Sequence, residues 1–312
     1  MSKYKPNPYF SGVITVIPTF FDYFNKINLE GINNHIEKQI TMGIKTIVIL
    51  GTTSETPTLS SDEKLSIVKS VHDKFENKIR IIIGLSGNDT FSVVNECELY
   101  SNYGDALMIS PPYYNKPTQE GIFQHFEKII TSTNKEIIIY NIPSRCGVNI
   151  EPDTISKMYN MFDRVVAIKE ASGSIDQVIK IKSICDIDIL SGDDGLVLPF
   201  MSVGAVGVIS VISNIVPIEM IEVVESFSKG EIHDATDKFY NIYPLIKLAF
   251  IESNPVPIKY LINRINNFLS PAVRLPLVKL SNENMLIINN WLDKNFNIKM
   301  VKSNGESFSF NV

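Results

Sequence analysis

The sequence predicts a (β/α)8 TIM barrel with a C-terminal helical appendage, and three observations carry that expectation. Eight short, apolar, β-branched runs punctuate the first two-thirds of the chain, each bounded by Gly, Pro, Ser or Asn. Amphipathic helical patterns lie between them in strict alternation, and after about residue 230 only helical patterns follow. Runs that are apolar throughout read as strands buried on both faces, as in a parallel sheet wrapped by helices. The rival is a doubly wound open sheet. It needs fewer strands and usually a glycine-rich phosphate loop after the first, and Pro18-Thr19-Phe20-Phe21 is not one.

The first strand is expected at Gly12–Ile17, followed by a helix over Leu29–Met42 whose Ile32, Ile36 and Ile40 form one stripe at four-residue spacing. Thr46–Leu50 is the second strand. The helix after it, Ser60–Phe75, opens with Ser60 and Glu63 at capping-box spacing and continues with Leu65, Val68 and Val71. Further strands are expected at Ile79–Ile83, Ala106–Ile109, Glu136–Tyr140, Val165–Ile168, Ile187–Leu190 and Val206–Val211. They alternate with helices at Thr90–Asn102, Gln119–Thr131, Glu151–Tyr159, Ser174–Ile184, Asp194–Val203 and Asn214–Phe227. His233–Ile251, Pro257–Asn267 and Asn282–Lys294 also read as helices. The expected organisation is a catalytic barrel over residues 1–230, a helical extension packed on it over 231–296, and a polar, flexible tail over 297–312.

Composition bounds the function. The 312 residues carry 29 basic against 34 acidic side chains, a net charge of −5, which argues against a nucleic-acid partner. No run approaches ~18 consecutive apolar residues, so no membrane span is expected. The start, Met1-Ser2-Lys3-Tyr4-Lys5-Pro6, lacks the apolar core of a secretory signal. Cys97, Cys146 and Cys185 form no close pair, and an odd number makes no disulfide framework, which fits a reducing, cytoplasmic setting. His35, His72, His125 and His233 are scattered without a Cys or His partner at zinc-ligand spacing; each reads as a helix-surface residue. A soluble protein without metal is the expectation.

In a barrel of this kind the chemistry lies where the strands end. Strand six runs into Lys169-Glu170, so the Lys169 stem would emerge from the apolar wall Val165-Val166-Ala167-Ile168. Desolvation there disfavours the ammonium and makes the amine a usable nucleophile toward a ketone. A barrel-end lysine paired with Glu170 is an equal reading of the position. Tyr140 ends the neighbouring strand, where a phenol could shuttle protons for Schiff-base chemistry or simply cap the core. Gly51-Thr52-Thr53-Ser54-Glu55 supplies hydroxyls and N–H groups for a small carboxylate, or an ordinary turn. Arg145 lies in the loop after strand five, able to grip a second carboxylate or to stand free at the surface. Asp193-Asp194 reads as a helix cap rather than a metal site, because no third acid is near in sequence.

These segments resemble the motifs of the dihydrodipicolinate synthase family, within the pyruvate-dependent class I aldolases and lyases that include N-acetylneuraminate lyase. The resemblance rests on Gly51-Thr52-Thr53-Ser54-Glu55, Tyr113-Tyr114-Asn115-Lys116-Pro117-Thr118-Gln119, Tyr140-Asn141-Ile142-Pro143-Ser144-Arg145 and Ile168-Lys169-Glu170-Ala171-Ser172-Gly173. Ser191-Gly192-Asp193-Asp194, Gly204 to Ser210, Asn254-Pro255-Val256-Pro257-Ile258-Lys259 and Arg274-Leu275-Pro276-Leu277 extend it across about residues 10 to 293. It implies condensation of pyruvate with L-aspartate 4-semialdehyde to 4-hydroxy-tetrahydrodipicolinate, in the lysine and diaminopimelate pathway. Lys169 would form the Schiff base and Tyr140 would shuttle protons, relayed through Thr52 and through Tyr114 of a neighbouring subunit. Thr53 would hold the pyruvate carboxylate, Gly192 and Ile209 would line the pocket, and Arg145 would bind the carboxylate of the aldehyde. The resemblance implies no cofactor and a homo-oligomer, commonly a dimer of dimers.

Two other readings stand beside it: a sialic acid or 2-keto-3-deoxy sugar acid aldolase of the same family, and a barrel that only binds a ligand. Three departures qualify the resemblance. Ser54 replaces the family's usual glycine, so its side chain would strain the loop if that position needs a positive φ. Cys146 replaces the usual threonine after the arginine. Asn88 and Tyr113 match the lysine-effector pocket of feedback-inhibited members, but Ser61, Lys64 and Ser92 stand where those carry His, His and Glu, so weak or absent lysine feedback is expected.

Overall fold

A computed structural model describes residues 10–266 and 269–295. The eight expected strands form: β1 Gly12–Val16, β2 Thr46–Ile49, β3 Arg80–Leu85, β4 Ala106–Ile109, β5 Glu136–Asn141, β6 Val165–Glu170, β7 Asp188–Ser191 and β8 Gly207–Ser210. All pair in parallel with their sequence neighbours, and β8 closes on β1 with Gly12 opposite Gly207. Glycine is needed at that seam, because a Cβ on Gly207 would collide with the Gly12 backbone.

The alternation of side chains along each strand builds two apolar layers. Ile14, Val16, Val48, Ile82, Met108, Ile138, Tyr140, Ala167, Leu190 and Ile209 fill the interior of the barrel. Their neighbours Ile47, Ile49, Ile81, Ile83, Ile137, Ile139, Ile168 and Ile189 face outward onto the helices. This two-sided burial is why the strands read as unbroken apolar runs.

The wrapping helices are α1 Leu29–Thr41, α2 Ser61–Phe75, α3 Thr90–Leu99, α4 Gln119–Thr131, a one-turn α5 Pro143–Cys146, α6 Pro152–Met161, α7 Ile175–Ile184, α8 Val197–Ser202 and α9 Pro217–Ser228. The capping box at the start of α2 is present, with Ser60 and Glu63 each bonded to the other's backbone N–H. Two helices begin later than their sequence pattern suggests. A 3-10 turn over Asp194–Leu196 precedes α8, and another over Ile212–Asn214 precedes α9, which starts with Pro217 at its first position. The C-terminal extension comprises α10 Ile232–Ala249, α11 Val256–Ile265 and α12 Asn282–Asn295, with α10 packed on α9 and α11 on α10. The segment 297–312, expected to be a flexible tail, lies outside the described residues.

Two histidines depart from expectation. His35 and His125 are each only 4% exposed rather than at a helix surface. The His35 Nε2 and Asn214 Oδ1 lie 2.9 Å apart, as do His125 Nδ1 and Thr90 Oγ1, and burial pushes both rings down to about 4. His233 is exposed and His72 half-buried, as helix-surface residues are. Cys97, Cys146 and Cys185 are all free thiols. Among the described residues no helix is long and apolar enough to cross a membrane.

Candidate active site

Lys169 lies inside β6 rather than after it, because the strand continues two residues beyond its apolar run. Its neighbour in the ladder is Tyr140 on β5, the two Cα atoms paired in register. Both residues share the parity of interior positions Ala167 and Ile138, so both side chains enter the barrel at the C-terminal ends of the strands. The Lys169 Nζ stands 4.3 Å from the centroid of the Tyr140 ring. Burial pushes the ammonium down to about 8, opposed by the negative charge of Asp194 and assisted by the positive charge of Arg145. Burial also pushes the Tyr140 phenol up to about 12, so it is a proton-bearing hydroxyl at neutral pH, in hydrogen-bond contact with Thr52.

The Glu170 side chain takes no part in this. It points outward, as strand alternation requires, and its carboxylate accepts from Asn141 Nδ2, Gln177 Nε2 and the Ser172 N–H. A Lys169–Glu170 ion pair is therefore ruled out by the pleat.

After β2 the chain turns through a 3-10 segment, Thr52–Ser54. Thr53 is buried, and its hydroxyl accepts a hydrogen bond from Asn254 Nδ2 at 3.0 Å. The left-handed residues of this loop are Leu50, with φ 53°, and Glu55, with φ 55°; Ser54 is not among the positive-φ residues. The Ser54 hydroxyl instead donates to the Ile17 carbonyl at 2.6 Å. The strain anticipated for a serine here is absent, because the next residue takes the left-handed conformation. Gly84 makes room for the reversed Leu50 carbonyl: a Cβ on Gly84 would sit 2.5 Å from that oxygen.

Arg145 emerges from α5, where Pro143 at the first position and a left-handed Gly147 after the last confine the helix to one turn. Its side chain is exposed at the rim and donates to the Asn254 carbonyl at 3.1 Å. Cys146 beside it turns inward and is buried, with its thiol pushed up to about 11 by burial, and so serves as a packing group.

Opposite, Gly192 follows β7 with its N–H donated to the Glu170 carbonyl at 2.7 Å. A Cβ there would lie 2.5 Å from the Ala171 Cβ, so only glycine fits. Ile209 closes the interior layer beneath. Asp193 caps the following turn by accepting from the Gly195 N–H at 2.8 Å. Asp194 does something the sequence did not suggest. It is 1% exposed, and its Oδ2 accepts from the N–H groups of Val211 and Ile212 at 3.0 and 3.1 Å, tying β7 to the end of β8. Burial pushes its carboxyl up to about 6. Among the described residues no group of three or more His, Cys, Asp or Glu side chains could hold a metal ion.

Tyr114 stands apart from this group. It has a φ of 70° in the loop after β4 and is 87% exposed. The remaining positions, Lys169, Tyr140, Thr52, Thr53, Arg145, Gly192 and Ile209, belong to the strand ends and loops of a single rim and to the interior layer below it.

Two residues of this region, Asn254 and Lys259, carried no assigned role in the sequence, and a third, Asp194, read only as a helix cap. Asn254 bridges Thr53 and Arg145, Lys259 pairs with Glu55, and Asp194 places a charge near Lys169. Their only sequence signal was membership of motifs far from, or redundant with, the strand-end pattern.

The model of the dihydrodipicolinate synthetase family matches residues 9–294 of the chain. The 4-hydroxy-tetrahydrodipicolinate synthase of Methanococcus vannielii is 40% identical over 283 residues, covering 90% of this chain and 97% of that protein. That of Endomicrobium trichonymphae is 39% identical over 280 residues, covering 89% and 95%. Among solved structures, the 4-hydroxy-tetrahydrodipicolinate synthase of the methanotroph Methylacidiphilum fumariolicum superposes with a TM-score of 0.88 at 37% identity, over 91% of this chain and 95% of that one. The dihydrodipicolinate synthase of Aquifex aeolicus superposes with a TM-score of 0.89 at 34% identity, over 91% and 98%.

Proposed function

The chain belongs to the dihydrodipicolinate synthetase family, and we propose that it is a class I aldolase-type lyase condensing pyruvate with L-aspartate 4-semialdehyde to give 4-hydroxy-tetrahydrodipicolinate. The observation that carries this reading is the Lys169–Tyr140 pair: an amine pushed down to about 8 beside a phenol that keeps its proton.

The Lys169 amine adds to C2 of pyruvate, and the carbinolamine loses water to leave an iminium. Tyr140, in contact with Thr52, carries the protons of addition and dehydration. Loss of a C3 proton gives an enamine, which forms a carbon–carbon bond to the aldehyde carbon of the second substrate. The α-amine of that substrate then attacks C2 and displaces Lys169, closing the ring and regenerating the free amine. One water is released per turnover. Thr53 and the adjacent backbone hold the pyruvate carboxylate, Gly192 and Ile209 shape its pocket, and Arg145 binds the carboxylate of the aldehyde as a charge-assisted pair. The iminium is itself the electron sink, so the scheme requires no added cofactor.

The exposure of Tyr114 supports its delivery to the Tyr140–Thr52 pair of a neighbouring protomer, which makes the active form a homo-oligomer, a dimer of dimers in this reading. The free cysteines suit a reducing, cytoplasmic setting. Lys64 is engaged with Glu96 at 2.7 Å where lysine-sensitive relatives use histidine, which supports weak lysine feedback. The test is turnover by the purified protein. Product is expected from pyruvate with L-aspartate 4-semialdehyde, and cleavage of N-acetylneuraminate in its place would overturn the substrate assignment.

A further inference from the structure

Asn254 stands where the C-terminal extension meets both sides of the rim. Its side-chain Nδ2 donates to the Thr53 hydroxyl at 3.0 Å, and its main-chain carbonyl accepts from Arg145 at 3.1 Å. The residue is 8% exposed. One side chain and one carbonyl thus touch the two residues assigned to the two substrate carboxylates.

The turn that bears Asn254 is itself anchored. Lys259, one turn into α11, is fully buried, and its ammonium lies 2.7 Å from Glu55 Oε1. The other Glu55 oxygen accepts from the Arg274 N–H at 2.9 Å. The Lys259 ammonium and the Arg274 guanidinium each lie 4.4 Å from the centroid of the Phe21 ring. Glu55 is the left-handed residue that ends the Thr52–Ser54 turn. The C-terminal extension therefore grips this loop at Thr53 through Asn254, and at Glu55 through Lys259 and the Arg274 backbone.

We propose that Asn254 is a positioning residue coupling the pyruvate subsite at Thr53 to the aldehyde subsite at Arg145, so that a change at Arg145 weakens pyruvate binding although Arg145 does not touch pyruvate. The inference rests on the roles given to Thr53 and Arg145 above. Removing the Asn254 side chain leaves the Thr53 hydroxyl free to rotate away from the carboxylate. A buried hydrogen bond of this kind corresponds to about a ten-fold change in an equilibrium constant. Arg145→Lys keeps the positive charge, and with it the electrostatic effect on Lys169, but loses the planar fork that reaches the Asn254 carbonyl.

The test measures the pyruvate concentration that half-saturates the borohydride-trapped adduct, with no aldehyde present. Asn254→Ala is expected to raise it about ten-fold, with adduct yield at saturating pyruvate equal to that of the parent, and Arg145→Lys to raise it about three-fold. Values within about two-fold of the parent for both variants, while Thr53→Val raises the value, would show Asn254 to be structural only and overturn the coupling. If Asn254→Ala does not fold, Arg145→Lys decides alone. Absence of any adduct in the parent would instead overturn the Schiff-base reading, and the coupling with it.

Discussion

Tyr140 and Lys169 are ladder partners on adjacent parallel strands, and the lysine nitrogen lies 4.3 Å from the tyrosine ring. That placement comes from the barrel itself and not from a flexible loop. Paired strands hold the two Cα atoms at a fixed separation, and the shared side-chain parity sends both groups into the same dry interior. The same burial acts on the two groups in opposite senses. It makes the amine easier to deprotonate and the phenol harder, which is the division an amine nucleophile and a proton carrier require.

The amine sets a pH limit. Only a neutral amine can attack a ketone, and the Lys169 ammonium is pushed down to about 8 from 10.5. The initial rate of adduct trapping with saturating pyruvate should therefore rise about ten-fold per pH unit below about 8 and level off above it. A rate that keeps climbing toward pH 10.5 would mean that the amine is solvated like an ordinary lysine.

Asp194 opposes this depression, since its negative charge stabilises the ammonium. Asp194→Asn removes the charge while the side-chain oxygen can still accept from Val211 and Ile212. The inflection in the same profile should move to lower pH, with the plateau reached earlier. An unmoved or upward-shifted inflection would contradict the electrostatic assignment.

Tyr140→Phe keeps the ring against Lys169 and deletes the hydroxyl. A general acid–base contribution of this type is worth roughly 10²–10⁴-fold, so kcat should fall by that range with little change in thermal midpoint. Thr52→Val should cost less alone and nearly nothing in the Tyr140→Phe background, because the two hydroxyls act as a unit. Full additivity in a four-way kinetic comparison would argue against a relay.

The Lys259–Glu55 pair is completely buried. Lys259→Met leaves the Glu55 carboxylate without its ammonium and should cost about 3–5 kcal/mol in urea unfolding. Converting Glu55 to Gln as well removes the stranded charge, so the double variant should recover more than half of that loss. A double variant no more stable than Lys259→Met would show that geometry, not charge, dominates the site.

The barrel was legible because each strand is buried on both faces, so that local composition carries its position in the fold. What escaped the pattern has identifiable causes. Lys169, Glu170 and Asn141 extend β5 and β6 past the apolar runs, and a polar residue at a strand end looks like a loop until its register is known. His35 and His125 lie on inward helix faces whose polar partners, Asn214 and Thr90, come from elements 179 and 35 residues away. Asn254 meets Thr53 across 201 residues, a distance no local period reports. Strain at Ser54 was conditional on a positive φ at that position, and composition alone does not tell which residue of the turn bears it; it is the neighbour, Glu55.

The most direct test of Schiff-base catalysis at Lys169 is intact-mass analysis after incubation with pyruvate and borohydride, followed by peptide mapping. The mass should rise by one pyruvate, less water and plus two hydrogens, with the addition on Lys169 and absent from Lys169→Ala. No mass increase, or an adduct that persists in Lys169→Ala, would contradict it.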